Sequence, residues 1–123
     1  MGTVTVIHSA YEESPQEVAK VDVGSRKGNE ALQHAFFRTQ NIQDSWSLKG
    51  DVDGSDEVDV VGEFPMHDGQ KLGIRSTAVG DRLEVDGVAF YVDMFGFTDT
   101  ETDYIKAQRR AWVTAMKEIN ERS

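Results

Sequence analysis

Between Arg82 and Met94, apolar and polar positions alternate on either side of an Asp86-Gly87 pair. That dipeptide is a strong short-range hairpin signal, because both positions of a two-residue turn must accept φ > 0. A turn there pairs Val85 with Val88, Leu83 with Phe90 and Arg82 with Tyr91. It gathers Leu83, Val85, Val88, Phe90, Val92 and Met94 on one face and sends Arg82, Glu84 and Tyr91 to the other. Turn chemistry and hydrophobic period agree on one register, and a slip of one residue would carry the apolar set to the solvent side.

The same reading extends along the chain. Thr3 to Ser9 is β-branched, with Val4, Val6 and His8 alternating against Thr3, Thr5 and Ile7, and it predicts a strand. Ser14-Pro15-Gln16-Glu17 has the form of a capping box with proline at the first helical position, which predicts a short helix to about Val21. Asn29 caps a second predicted helix, Glu30 to about Thr39, with Leu32, Ala35, Phe36 and Thr39 on one side. Ser45 to Leu48 reads as a short strand, and Gly50 to Ser55 as a turn-rich loop.

Glu57 to Phe64 alternates again. Here the hydrophobic register favours a three-residue loop at His67-Asp68-Gly69, which sets Phe64 against Leu72, gives Ile74 room beside Gly62 and puts Ala78 opposite Val58. Val79-Gly80-Asp81 turns into the hairpin described first, and Phe95-Gly96-Phe97 forms a hinge after it. Thr98-Asp99-Thr100-Glu101 is a second capping box, with acids where a helix N-terminus favours them. The helix it opens runs to about Asn120 and carries Ile105, Trp112, Met116 and Ile119 as its apolar stripe.

These elements predict a single α+β domain over 1–123. Its antiparallel curved sheet has about six strands, in the order β-α-α-β-β-β-β-β-α, and packs on a long C-terminal helix. The order resembles the helix-grip arrangement, which implies an apolar cavity between the sheet and the closing helix. The resemblance lies in element order across most of the chain, with one strand fewer and shorter helices, and no residue motif accompanies it.

Composition fits one core. The 123 residues are 38% apolar and include eleven aromatics, enough for a domain of this size to fold without staples. No run approaches the ~18 apolar residues of a membrane span, and the first residues lack the basic start of a signal peptide. With no cysteine, disulfides and thiolate chemistry are excluded, and a cytoplasmic location is expected.

Charge is uneven. Tyr104 to Ser123 holds five bases against two acids, so that +3 there leaves −12 on the rest of a chain whose total is −9. Gly50 to Gln70 contains seven acids and no lysine or arginine. Such a surface repels a phosphate backbone, so no nucleic-acid partner is expected.

Motifs for catalysis are thin. Asp51-Val52-Asp53-Gly54-Ser55-Asp56 fails the calcium-loop spacing, because from Asp51 the required glycine falls on Asp56 and the final glutamate on Gly62. His8, His34 and His67 have no i,i+4 partner and no metalloprotease glutamate, so neither a metal nor a catalytic residue is assigned. The glycines of Gly24 to Asn29 precede a helix, where Arg26 and Lys27 add positive charge, but their spacing matches no nucleotide loop. His8 shares a face with Val4 and Val6, so it points inward, either as a hydrogen-bonded core histidine or, beside a carboxylate, as a base.

Two functions follow. One is a non-enzymatic binding or assembly protein that acts through a sheet or C-terminal-helix surface and associates with a partner or with itself. The other is a helix-grip-like carrier or enzyme that holds a small apolar ligand between sheet and C-terminal helix. For that ligand the candidate contacts are Phe90, Val92, Met94, Trp112, Met116 and His8. No cofactor and no membrane association are expected.

Overall fold

The computed structural model describes residues 2–12, 14–41, 45–49, 55–94, 96–108 and 110. Among the described residues, eight strands and helix α1 follow in the order β1 (Gly2–His8), β2 (Gln16–Gly24), α1 (Gly28–Arg38), β3 (Val58–Val60), β4 (Met66–His67), β5 (Gln70–Lys71), β6 (Arg82–Val85), β7 (Val88–Asp93) and β8 (Gly96–Thr98). A 3₁₀ turn, Ser55–Glu57, leads into β3. Six strands form one antiparallel sheet in the order β3-β2-β1-β6-β7-β8, while β4 and β5 pair only as a separate hairpin. The α+β class and the antiparallel sheet are as the residue pattern predicts.

The β6–β7 hairpin has the predicted register, with Arg82 opposite Tyr91, Leu83 opposite Phe90 and Val85 opposite Val88. Asp86 and Gly87 take φ values of 50° and 78°, the pair of left-handed conformations that a two-residue turn requires. On the face shared with this hairpin, Val4, Val6, Val21, Val23, Leu83 and Val92 are buried together with Ala31, Leu32 and Ala35 of α1. Helix α1 thus packs on this face as a second layer against the half-apolar sheet.

Several expectations give way. The expected helix from Ser14 to Val21 is strand β2. Ala19, Val21 and Val23 are buried while Lys20 and Asp22 face solvent, a period of two that overrides the capping-box signal. A register shift after Val6 leaves Val18 as an extra residue, so both Val18 and Ala19 are buried. The element order therefore departs from the helix-grip one at its second element. Helix α1 starts at Gly28 with Lys27, not Asn29, as its cap. Ser45 to Leu48 is a turn, and it buries Trp46, whose indole N–H donates to the Arg75 carbonyl at 2.8 Å.

The strand expected from Glu57 to Phe64 is reduced to β3, and it pairs with β2 rather than with the chain near Ala78. Gly62 makes room for β2, since a Cβ there would lie 2.9 Å from Val18 Cα, and not for Ile74. Its hairpin neighbour turns in two residues, with Met66 opposite Lys71 and His67 opposite Gln70. Asp68 and Gly69 take φ of 51° and 76°. Because β4 and β5 are exposed on both faces, no burial competes with the Asp-Gly turn, and turn chemistry alone sets the register.

Where a hinge is expected, Gly96 and Phe97 instead belong to the edge strand β8, with Val92 opposite Phe97 and Asp93 opposite Gly96. At the end of the described chain, residues 103–108 are helical. Thr102 rather than Thr98 caps them, its hydroxyl accepting from Ile105 N–H at 3.3 Å, and Ile105 is buried. The rest of the expected long C-terminal helix, with Trp112, Met116 and Ile119, falls outside the described residues. Among the described residues no helix is long and apolar enough to cross a membrane.

Candidate functional site

Opposite ends of β1 carry two different concavities. At the end near Gly2 and Gly24 is an apolar cleft of about 1040 Å³. Its floor is Leu32 of α1 with Val85, Val88, Phe90 and Phe97 of the sheet, and its rim includes Arg26 and Lys27. Among the described residues, helix α1 is the helix that covers this face, and it is narrower than the sheet. Six strands spaced ~4.8 Å apart make a sheet roughly 25 Å across, and a helix about 10 Å in diameter covers only part of it.

Helix α1 lies over β1, β2 and β6, so Phe90 and Phe97 stay only partly covered. Phe97 is held edge-on to Phe36 of α1, with ring centroids 6.3 Å apart. The C-terminal end of the helix is fastened: Gln40 Nε2 donates to the Thr77 carbonyl at 2.9 Å, and Thr77 N–H donates to the Thr39 carbonyl at 3.0 Å. Its N-terminal end borders the cleft, and Lys27 makes no side-chain capping bond there.

At the other end of β1 a polar recess of about 490 Å³ is lined by His8, Glu12, Gln16, Glu63 and Arg75. Asp81 lies behind it, fully buried. Its Oδ1 accepts from Ser9 N–H (2.9 Å), Ala10 N–H (3.0 Å) and Arg75 Nη2 (2.7 Å). Its Oδ2 accepts from Ala78 N–H and Arg75 Nη1, both at 2.7 Å. Arg75 also pairs with Glu12 at 2.9 Å and lies over the Tyr11 ring at 4.7 Å. Burial pulls the Arg75 pKa down, but its hydrogen bonds to Asp81 and Glu12 outweigh that and hold the guanidinium firmly protonated. Gly80 adopts φ of 97° and passes so close to Ala10 that an added Cβ would lie 3.1 Å from the alanine Cβ.

His8 is buried beside this pair, its Nε2 3.0 Å from Thr77 Oγ1 and 3.8 Å from Asp81 Oδ2. The Thr39 hydroxyl donates to the Ala35 carbonyl at 3.0 Å, so the Thr77 hydroxyl donates to Thr39 at 2.7 Å. Thr77 is then left as an acceptor, and His8 Nε2–H donates to it. This assigns the Nε2–H tautomer. Desolvation lowers the His8 pKa, with Arg75 acting in the same direction and Asp81 and Glu12 in the opposite one, so the imidazole is neutral at pH 7.

The residues picked from the sequence are spread over the molecule. Phe90 lines the apolar cleft, Val92 is in the core, and Met94 is half exposed in the β7–β8 turn. His8 is at the far end, and Trp112 and Met116 lie outside the described residues. The structure adds Leu32, Val85, Val88 and Phe97 to the cleft, and Arg75 and Asp81 to the recess. Val85 and Val88 were on the predicted apolar face of the hairpin. Phe97 was hidden by the reading of residues 95–97 as a hinge, and the Arg75–Asp81 pair has no local sequence signal. Compared with family models, with curated proteins and with solved structures, the chain matches none.

Proposed function

We propose that this is a non-enzymatic binding protein whose working surface is the apolar cleft. The observation that carries this reading is the cleft itself, a pre-formed concavity whose floor is five apolar side chains and whose rim is polar. Soluble domains seldom leave such surface open unless something covers it. The recess supports a binding rather than a catalytic reading: both Asp81 oxygens are filled by five donors, which leaves that carboxylate no role as a base.

Binding of an apolar fluorophore such as 1-anilinonaphthalene-8-sulfonate tests it. Val88 is 48% exposed, so Val88→Glu should leave the fold intact. The expected result is saturable binding of the dye, weakened roughly tenfold or more by Val88→Glu, the equivalent of ~1.4 kcal/mol. Dye binding that is absent, or that ignores the substitution, would overturn the reading. A second reading, a carrier for a small apolar ligand, is favoured by the volume of the cleft, which matches that of small-molecule sites. It places the ligand between the sheet and α1.

A further inference from the structure

We propose that the cleft receives the β4–β5 arm of a second copy of this chain, head to tail. The inference rests on the cleft being a binding surface and names its occupant. Residues 65–72 are exposed throughout, including Met66 at 63% and Leu72 at 42%. The arm is joined to no strand of the main sheet, and a hairpin of two residues per strand is marginal in water without something to pack on. It is nevertheless well specified, by the Asp68-Gly69 turn, the Leu72 N–H bond to the Pro65 carbonyl at 2.8 Å, and Lys71 Nζ 4.0 Å above the Phe64 ring. A shaped projection with two large apolar side chains has the form of a ligand.

The arm cannot fill the cleft of its own molecule. Its root, Pro65, lines the recess beside His8 and Gln16, whereas the cleft is beside Gly2 and Gly24. Those are the two ends of β1, seven residues and roughly 20 Å apart. An arm of two residues per strand reaches only about 10 Å from its root. A second molecule must supply it.

Charge favours the same chain as donor. Asp68 at the arm's tip and Lys71 behind it are exposed, and the cleft is lined by Arg26 and Lys27 together with Asp86, so each charge on the arm has an opposite charge to meet. Met66 and Leu72 would meet Val88, Phe90 and Phe97, while Asp68 meets the two bases. Because the two surfaces differ, the contact is heterologous, and repetition builds a ring or a filament rather than a closed pair.

Light scattering and sedimentation equilibrium on the whole chain test this, since each interface half can be removed separately at an exposed residue. The wild-type mass should rise above the 13.7 kDa of one chain as concentration increases to about 1 mM, the weak limit for a specific contact. Met66→Glu and Val88→Glu should each stay monomeric with unchanged circular dichroism. An equimolar mixture of the two should recover pairs and stop there, because it holds one intact arm and one intact cleft per pair. Met66→Glu should also bind the dye at least as well as wild type, since it no longer competes for the cleft. A monomeric wild type, an undiminished mass in either variant, or a mixture that stays monomeric would overturn the proposal. If the mass ignores Met66→Glu while the dye still depends on Val88, the cleft reading stands and the occupant is a small ligand. If the dye also ignores Val88→Glu, the cleft reading falls too.

Discussion

Burying a carboxyl group without partners costs several kcal/mol, and Asp81 avoids that cost through donors from the segment just after β1, from the loop before β6 and from Arg75. Replacing it by asparagine keeps the shape but removes the charge and turns one acceptor into a donor facing N–H groups. Breaking a buried pair costs ~3–5 kcal/mol, and the lower end applies because Arg75 keeps Glu12 and reaches solvent. Urea unfolding of Asp81→Asn should therefore show a loss of about 3 kcal/mol. His8 gives a pH test. Its folded pKa is below the ordinary value of 6.5, so between the two the unfolded chain binds a proton that the folded one does not. Its contribution is present above 6.5 and is lost as pH falls from there through the folded pKa. The urea midpoint should drop over that range, and the drop attributable to this site should vanish in His8→Gln. An unchanged slope in that variant would show that other groups are responsible.

At the scale of elements, helix α1 is tied by hydrogen bonds to Thr77 at its C-terminal end and has no side-chain cap at its N-terminal end. Lys27 occupies the cap position in an extended conformation but makes no side-chain bond to the first turn. Lys27→Ser should supply one and stabilise the protein by ~1 kcal/mol, read as a rise in urea midpoint at constant slope. Gly62 predicts the opposite: a Cβ 2.9 Å from Val18 Cα cannot fit, so Gly62→Ala should cost ~1–3 kcal/mol by forcing β3 off β2. What could be read beforehand divides along the same lines. The β6–β7 hairpin was legible to the residue because turn and burial specify the same register. Strand β2 was misread because Ser14-Pro15-Gln16-Glu17 satisfies a helix-start rule while the alternation from Ala19 to Val23 satisfies a strand rule, and only pairing with β1 decides between them. The β4–β5 turn failed because a hydrophobic register was imposed on an arm that buries nothing.

For the whole molecule, the net charge of −9 is a repulsive term that added salt screens. Heating at increasing sodium chloride should raise the melting temperature, most steeply below about 0.1 M, where the screening length exceeds ~10 Å. A falling melting temperature would mean that attractive pairs such as Arg75 with Glu12 outweigh the repulsion. The Asp81 site could not be read from the sequence for a reason of the same scale. His8, Ser9 and Ala10 bond to partners 69 to 72 positions away, and no local pattern announces a contact that only the folded sheet creates. That separation also has a kinetic meaning. Closing a loop of some 70 residues costs of order 4 kcal/mol in chain entropy, whereas the β6–β7 turn closes almost at once. The hairpin should therefore be formed in the folding transition state, and the Asp81 site completed after it. Asp81→Asn should then speed unfolding and leave the folding rate nearly unchanged. Gly87→Ala, strained at φ of 78°, should slow folding instead. The lock between the segment after β1 and the turn before β6 would then set how long the native state lasts rather than how quickly it forms.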